Sequence, residues 1–306
     1  ARSSSGGQAE SVFEEVSAAA GVDFAYGNGE EADFYTILES LGGGVALLDY
    51  DGDGLLDLYF TGGGKFTSRT AHGIEGLPGR LYRNLGRMKF RDVTIEAGLS
   101  RAGFYSHGAL VLDWDQDGRP DLLVSGYGGL TLYRNEEGRR FGDVTQQSGL
   151  TDGRWSTSVA AGDLWGRGRA DLFVCRYVDW SFQNDPECPQ RGQSDGRDVC
   201  APQNFAALPS SFYSHEGGVY QDQWEQLQPA AAGKALGVVI VDVNEDGRPD
   251  VYVANDASAN WLFLNEGNGK LRECGRSLGV SVDDSGRYNG SMGVDAADYD
   301  GSGRAS

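Results

Sequence analysis

An acidic nine-residue pattern recurs along this 306-residue chain. Three copies carry side-chain oxygens at positions 1, 3, 5 and 9. They are Asp49, Asp51, Asp53 and Asp57; Asp113, Asp115, Asp117 and Asp121; and Asp242, Asn244, Asp246 and Asp250. Gly stands at position 6 of each, and position 7 (Leu55, Arg119 or Arg248) offers a backbone carbonyl. A partial copy, Asp298, Asp300 and Ser302, lacks Asp at positions 5 and 9, the latter being Ser306. Oxygen ligands at this spacing suit a hard cation, because calcium takes six to eight oxygens at roughly 2.3–2.6 Å. The alternation turns successive carboxylates inward, and Gly allows the sharp turn that closes the loop. The three complete loops are therefore expected to bind Ca2+, with a fourth site at the partial copy. Asn244 keeps an oxygen but removes a charge, which predicts weaker binding there.

One degraded copy runs from Asp163 to Asp171, with Trp165 and Arg167 replacing two ligands. No metal is expected in it. A guanidinium at its centre can fork to carboxylates, so Arg167 is expected to neutralise Asp163 and Asp171.

The elements around the loops repeat as well. The five loops start at 49, 113, 163, 242 and 298. After each of the first two comes an aromatic pair of segments, Leu81-Tyr-Arg-Asn84 with Phe90-Arg-Asp-Val-Thr94, then Leu132-Tyr-Arg-Asn135 with Phe141-Gly-Asp-Val-Thr145. Looser copies are Phe212-Tyr-Ser-His215 and Leu262-Phe-Leu-Asn265. A fixed order with a period near 50 residues marks an array of supersecondary units. Each unit reads as four short strands rich in Val, Leu, Phe and Tyr, with the acidic loop between the first and second. Stretches such as Ala109-Leu-Val-Leu112 and Val238-Val-Ile-Val241 are apolar on both faces. That suits a sheet stacked between two neighbouring sheets. The reading is all-β: a β-propeller of four-stranded blades. An EF-hand is excluded, because loop position 12 is Phe60, Val124, Val174 or Val253 rather than an acid.

The predicted units cover about 43–100, 107–151, 157–230, 236–281 and the start of a fifth at 291–306. Residues 1–10 read as a mobile tail ahead of a partial propeller at 11–306, and 11–24 as a strand from the closing blade. At least two strands of one blade are then missing, so either the native chain is longer or another subunit supplies them. Strand donation between identical subunits would build a fibre.

The formal net charge of −19 comes largely from the cation loops and argues against nucleic acid and anionic membranes. No apolar run reaches the ~18 residues of a membrane span. The first residue is Ala, so a signal segment is expected to have been removed. Four cysteines, an even number, point to an oxidising compartment. Cys188 and Cys200 lie in one polar segment and are expected to close a short disulfide loop, whereas Cys175 and Cys274 fall on predicted strands.

Catalytic constellations are not evident. His72, His107 and His215 lack partners at zinc-like spacing, and no nucleophile elbow or phosphate loop occurs. His215 occupies the slot of Asn84 and Asn135 and is expected to be structural. Asn255 and Asp256 suit a turn better than a ligand site. The insertion at 176–211, with Trp180, Phe182 and the cysteine pair, is either a partner surface or a pinned loop covering a blade edge. Asn289-Gly-Ser291 is a lone glycosylation sequon.

Together these residues resemble the FG-GAP or VCBS repeat, the propeller unit of integrin α-chain heads. They are more similar still to the cartilage acidic protein family, which carries an ASPIC/UnbV domain. The stretches that carry the likeness are Phe13-Glu-Glu-Val-Ser17, Leu41-Gly-Gly-Gly-Val-Ala-Leu-Leu-Asp49, Cys200-Ala-Pro-Gln-Asn-Phe205, Val253-Ala-Asn-Asp256 and Ser291-Met-Gly-Val-Asp-Ala-Ala-Asp298. The resemblance implies a secreted, surface or periplasmic calcium-binding propeller without established catalytic residues. The expected function is a non-catalytic scaffold for binding, adhesion or assembly. Its partner would be a protein or glycan, copies of itself included, with no nucleic acid and no membrane insertion. The alternatives are a propeller hydrolase or lyase with its site on the axial channel, and a fibre subunit assembled by strand donation.

Overall fold

The computed structural model describes residues 13–68, 73–190, 196–227, 229 and 232–304. The proposed tail at 1–10, His72 and Ser306 lie outside them. Four antiparallel four-stranded sheets follow one another along the chain. Sheet I comprises Val45–Leu48, Asp57–Phe60, Arg80–Asn84 and Phe90–Asp92. Sheet II comprises Tyr105–Leu112, Asp121–Tyr127, Gly129–Glu136 and Arg140–Asp143. Sheet III comprises Ser156–Gly162, Asp171–Arg176, Ser211–Glu216 and Val219–Asp222. Sheet IV comprises Ala235–Val241, Asp250–Asn255, Trp261–Gly267 and Lys270–Glu273. In every sheet the strand order is the chain order, and each acidic loop joins the first strand to the second.

The first strands of successive sheets lie side by side, as they must about a common axis. Glycine five residues before the loop makes this approach feasible. A Cβ at Gly44 would stand 2.8 Å from the His107 carbonyl, and one at Gly108 would stand 2.6 Å from that of Thr157. Gly237 meets Gly293 and Val294 in the same way, so the start of the fifth unit lies against sheet IV. A side chain at Gly44 or Gly108 would push the inner strands apart, and one at Gly237 would crowd Gly293 and Val294, 3.2 Å from its Cβ.

The core is divided into layers between sheets. Leu122 and Val124 pack toward sheet I with Leu48, Leu81 and Phe141, whereas Leu123, between them in sequence, packs toward sheet III with Leu172 and Val174. Phe173 points the other way, to Val251, Val253 and Phe263 of sheet IV. Strand alternation thus feeds two cores at once, which explains strands apolar on both faces. This is the β-propeller expected from the repeats, with an incomplete ring in this chain.

A fourth cluster covers the end of the sheets away from the acidic loops. Ile37 and Leu38 from the N-terminal segment meet Tyr105, Trp155, Tyr177, Trp180 and Phe205. Described residues of the 176–211 insertion, among them Trp180, Phe182 and Cys200, are seated in this cluster, and Cys188 and Cys200 are joined by a disulfide. Cys175 and Cys274 are buried free thiols; Cys274 follows the last strand of sheet IV rather than lying on it.

Two expectations need correction. Of residues 11–24, the described ones (13–24) do not form a strand. Among the described residues Ser17–Ala20 form a helical turn, capped at Gly21 (φ 86°), and the segment rests on sheet I, with Phe24 stacked on Phe60 at 5.0 Å. Likewise the start of the fifth unit, expected to open with a first strand from residue 291, is placed beside sheet IV at Met292–Asp298 without forming one. The cause is the same at both ends: a strand needs a ladder partner, and no neighbouring strand of the same blade is present among the described residues. The structure also adds a hairpin, Gly64–Ser68 with Gly73–Gly76, between the second and third strands of sheet I.

Candidate metal centres

Each acidic loop is drawn around its first carboxylate. Asp49 Oδ1 accepts the Gly52 and Asp53 amides at 2.9 and 3.1 Å, and its Oδ2 accepts that of Gly54 at 2.9 Å. Asp113 accepts Asp117 and Gly118, Asp242 accepts Asp246 and Gly247, and Asp298 accepts Ser302 and Gly303. Curling the backbone over one side chain requires positive φ at position 6, where Gly54, Gly118, Gly247 and Gly303 have φ between 82° and 84°.

The position-9 carboxylates are clamps as well as candidate ligands. Asp57 and Asp121 are buried, as is Asp250. One oxygen of each accepts an amide at loop position 2 (Tyr50, Trp114 or Val243), and the other accepts the amide of a third-strand Asn at 2.7 Å. A carboxylate has about four lone-pair sites, so two remain after these bonds. Burial raises the pKa of all three, with the neighbouring carboxylates adding to the effect; that of Asp121 reaches about 6.

Two groups of carboxylates converge closely enough among the described residues to share a cation. They are Asp49, Asp51 and Asp57 in the first loop and Asp113, Asp115 and Asp117 in the second. Oδ1 of Asp51 is buried and has no hydrogen-bond partner, an acceptor left for a cation to satisfy. Hard oxygen donors with an orphan acceptor among them fit a divalent metal ion. Asp53 is less directly engaged: its Oδ1 accepts the Leu55 amide and its Oδ2 pairs with Arg83. In the third complete loop Asn244 donates to Asp246 at 3.0 Å and Arg248 pairs with Asp246 at 2.5 Å. The amides of Leu55, Arg119 and Arg248 each donate to Oδ1 of the position-5 Asp at 3.0 Å, so position 7 takes the same turn in all three. In the partial loop Asp300 Oδ1 accepts the Ser302 amide, and position 9 is not among the described residues.

In the degraded loop Arg167 pairs with Asp171 at 3.3 Å and with Glu216 at 3.1 Å. The expected pairing with Asp163 is not formed by the guanidinium. Asp163 instead accepts the backbone amides of Arg167 and Gly168, both at 2.7 Å, because the loop still curls around position 1.

Sequence reasoning missed what the third-strand Asn does. Asn135 Nδ2 donates across the sheet boundary to the Tyr50 carbonyl of the first loop at 2.8 Å, and Asn265 donates likewise to Leu164 at 2.8 Å. Each staples its blade to the loop of the preceding one. His215 stands in this position in sheet III, where its Nε2 is buried without a partner. The recurrence of Asn after Leu-Tyr-Arg was the available signal.

Asn255 and Asp256 are engaged within the protein, apart from Asn255 Oδ1, which is buried without a hydrogen-bond partner. Asn255 donates to the Ala259 carbonyl, and Asp256 accepts the Tyr177 hydroxyl at 2.6 Å. The axial cavity, of about 450 Å3, is lined by Ser40–Gly44, His107–Ala109, Thr157–Val159, Leu236 and Met292. His107 is its ionisable group, and burial lowers its pKa to about 4.

Comparison with known proteins agrees with this geometry. The FG-GAP-like repeat family matches residues 49–124, 113–174 and 242–305. Mouse Cartilage acidic protein 1 is 25% identical over 291 residues, an alignment spanning 85% of this chain and 38% of that protein. The chain therefore spans well under half the length of that relative. A structure of an Agrocybe aegerita lectin, described as recognising non-reducing terminal N-acetylglucosamine, aligns over 76% of this chain and 66% of its own, with a TM-score of 0.35 and 16% identity. No helix among the described residues is long and apolar enough to cross a membrane. With the repeat matched in three places over more than half its length, the chain belongs to the FG-GAP-like repeat family.

Proposed function

We propose that this protein is an extracellular calcium-binding β-propeller, secreted or displayed at a cell surface, that serves as a non-catalytic scaffold for a protein or glycan partner. The observation that carries the reading is the converging carboxylates of the first two loops, with Oδ1 of Asp51 buried and unpaired. Asp49, Asp51, Asp57, Asp113, Asp115 and Asp117 would hold the ions, with Asp53, Asp121 and the carbonyls of Leu55 and Arg119 completing each shell. The third complete loop and the partial loop are the further sites. When bound, the ion neutralises clustered carboxylates and fixes the turn between two inner strands. The chain's own residues have already shaped that turn, through the amides clasped by Asp49 and Asp113.

The disulfide at Cys188–Cys200 supports an oxidising compartment. A catalytic reading is disfavoured by the axial cavity, where the lining is Gly, Ser, Thr, apolar residues and a neutral His, a set without an acid–base pair. Isothermal titration with Ca2+ after chelator treatment tests the proposal. Saturable binding at micromolar to millimolar concentration, accompanied by a rise in melting temperature, is expected. Absence of both at 10 mM Ca2+ would refute it.

A further inference from the structure

The three complete loops differ in charge, and the third strand compensates. In the first loop, Arg83 places Nε 2.6 Å from Asp51 Oδ2 and a terminal nitrogen 3.1 Å from Asp53 Oδ2. In the second, Arg134 repeats the arrangement atom for atom, with Nε 2.5 Å from Asp115 Oδ2 and a terminal nitrogen 3.4 Å from Asp117 Oδ2. Both arginines immediately precede the third-strand Asn, Asn84 or Asn135. In the third complete loop position 3 is Asn244, and the residue in the arginine's place is Leu264. In the degraded loop position 3 is Trp165, and that place is taken by Ser214. A carboxylate at position 3 therefore goes with a third-strand Arg, and its loss goes with loss of the Arg. Asp117 and Asp246 each also pair with the position-7 guanidinium, Arg119 at 2.8 Å and Arg248 at 2.5 Å, so the second and third loops carry the same net negative charge although only the second has an acid at position 3.

The pairing also has a direction. Arg83 engages Oδ2 of Asp51, and the oxygen left without a partner is Oδ1, in the group that converges with Asp49 and Asp57. Each guanidinium spans two carboxylates, one nitrogen to each, and its Nε meets the position-3 Asp as an ion pair rather than a hydrogen bond; a compact ammonium cannot span both positions in this way.

We propose that Arg83 and Arg134 are positioning residues for the cation loops. Each holds Oδ2 of the position-3 carboxylate and offsets one of four negative charges, so that a loop with an acid at position 3 does not carry its full excess of negative charge toward a divalent cation. The proposal rests on the calcium reading above.

The experiment follows Ca2+ titration of the full chain through the backbone amide resonances of Gly54 and Gly118, which report the first and second loops separately. The variants are D51N, R83L, R83K and D51N/R83L, the last reproducing the Asn244–Leu264 pattern that this chain already folds around. D51N alone is expected to weaken binding at Gly54 by about tenfold or more, since Arg83 then offsets one of only three carboxylates. D51N/R83L is expected to regain most of that loss, while R83K retains wild-type charge and loses part of the affinity. The Gly118 response should stay unchanged throughout. A purely structural arginine would lower the melting temperature equally with and without Ca2+ and leave the two substitutions additive in affinity. Additive effects, or a double variant weaker than D51N, overturn the proposal. A wild-type Gly54 resonance that does not move with Ca2+ overturns the calcium reading itself and the proposal with it.

Discussion

Replacing Asn135 with Ala should destabilise the propeller far more than the same change at Asn84, although the two occupy equivalent places in their repeats. The Asn135 side chain is buried and makes three hydrogen bonds. Nδ2 donates to the Tyr50 and Pro120 carbonyls at 2.8 and 3.2 Å, and Oδ1 accepts the Gly138 amide at 2.9 Å. A net hydrogen bond contributes about 1 kcal/mol, and leaving its partner buried and unpaired costs about 1–3 kcal/mol. The expected loss is about 3 kcal/mol, concentrated at the boundary between sheets I and II. Asn84 makes two comparable bonds, to the Leu56 carbonyl and from the Gly86 amide, but it is half-buried and reaches no other sheet. Water replaces much of what N84A removes, so about 1 kcal/mol is expected. Urea unfolding in saturating Ca2+, read by tryptophan fluorescence, measures both variants. Equal destabilisation by N135A and N84A would refute the argument that this Asn acts as a staple between blades.

Other outcomes follow from the same geometry. Chelation should lower the melting temperature, since each site filled at ten times its dissociation constant contributes about 1.4 kcal/mol; an unchanged melting curve in EDTA would contradict structural metal. R167A should destabilise the protein without creating a calcium dependence, because Asp171 keeps its bonds from the Trp165 and His215 amides, and a new Ca2+-dependent rise in stability would count against the guanidinium as the loop's cation. His107 is held neutral with a pKa near 4 by burial, so the folded state binds fewer protons than the unfolded one between about pH 6.5 and 4. Its contribution is present above pH 6.5 and lost as pH falls toward 4, about 3 kcal/mol over that window. The stability difference between wild type and H107F, measured at pH 7 and pH 4.5, should change accordingly; a pH-independent difference would exclude His107 as the source. Replacing Cys188 and Cys200 with Ala opens a link with a sequence separation of 12, a loss of about 3 kcal/mol. It should expose the 176–211 segment to proteolysis while leaving the Ca2+ response of Gly54 intact.

The repeated loops, their four-strand units and the stacking of sheets were legible in the chain because local chemistry dictates them. Asp at alternate positions with Gly at the sixth admits few conformations, and strands apolar on both faces must be covered on both. Leu122 and Leu123 show that rule at work, one facing each neighbouring sheet. The disulfide was legible for a similar reason, two cysteines in one short polar segment. What tertiary structure decided are the relations between units. No local pattern says that the Asn after Leu-Tyr-Arg reaches the preceding loop, because its partner Tyr50 lies 85 residues away. Nor does it say which oxygen of Asp51 meets Arg83, or that the insertion folds onto Trp155 and Tyr105 rather than projecting outward. The segments at 13–24 and 292–298 find no ladder partner among the described residues and do not become strands. A backbone hydrogen bond takes two chains, and the propensity of one cannot supply the other.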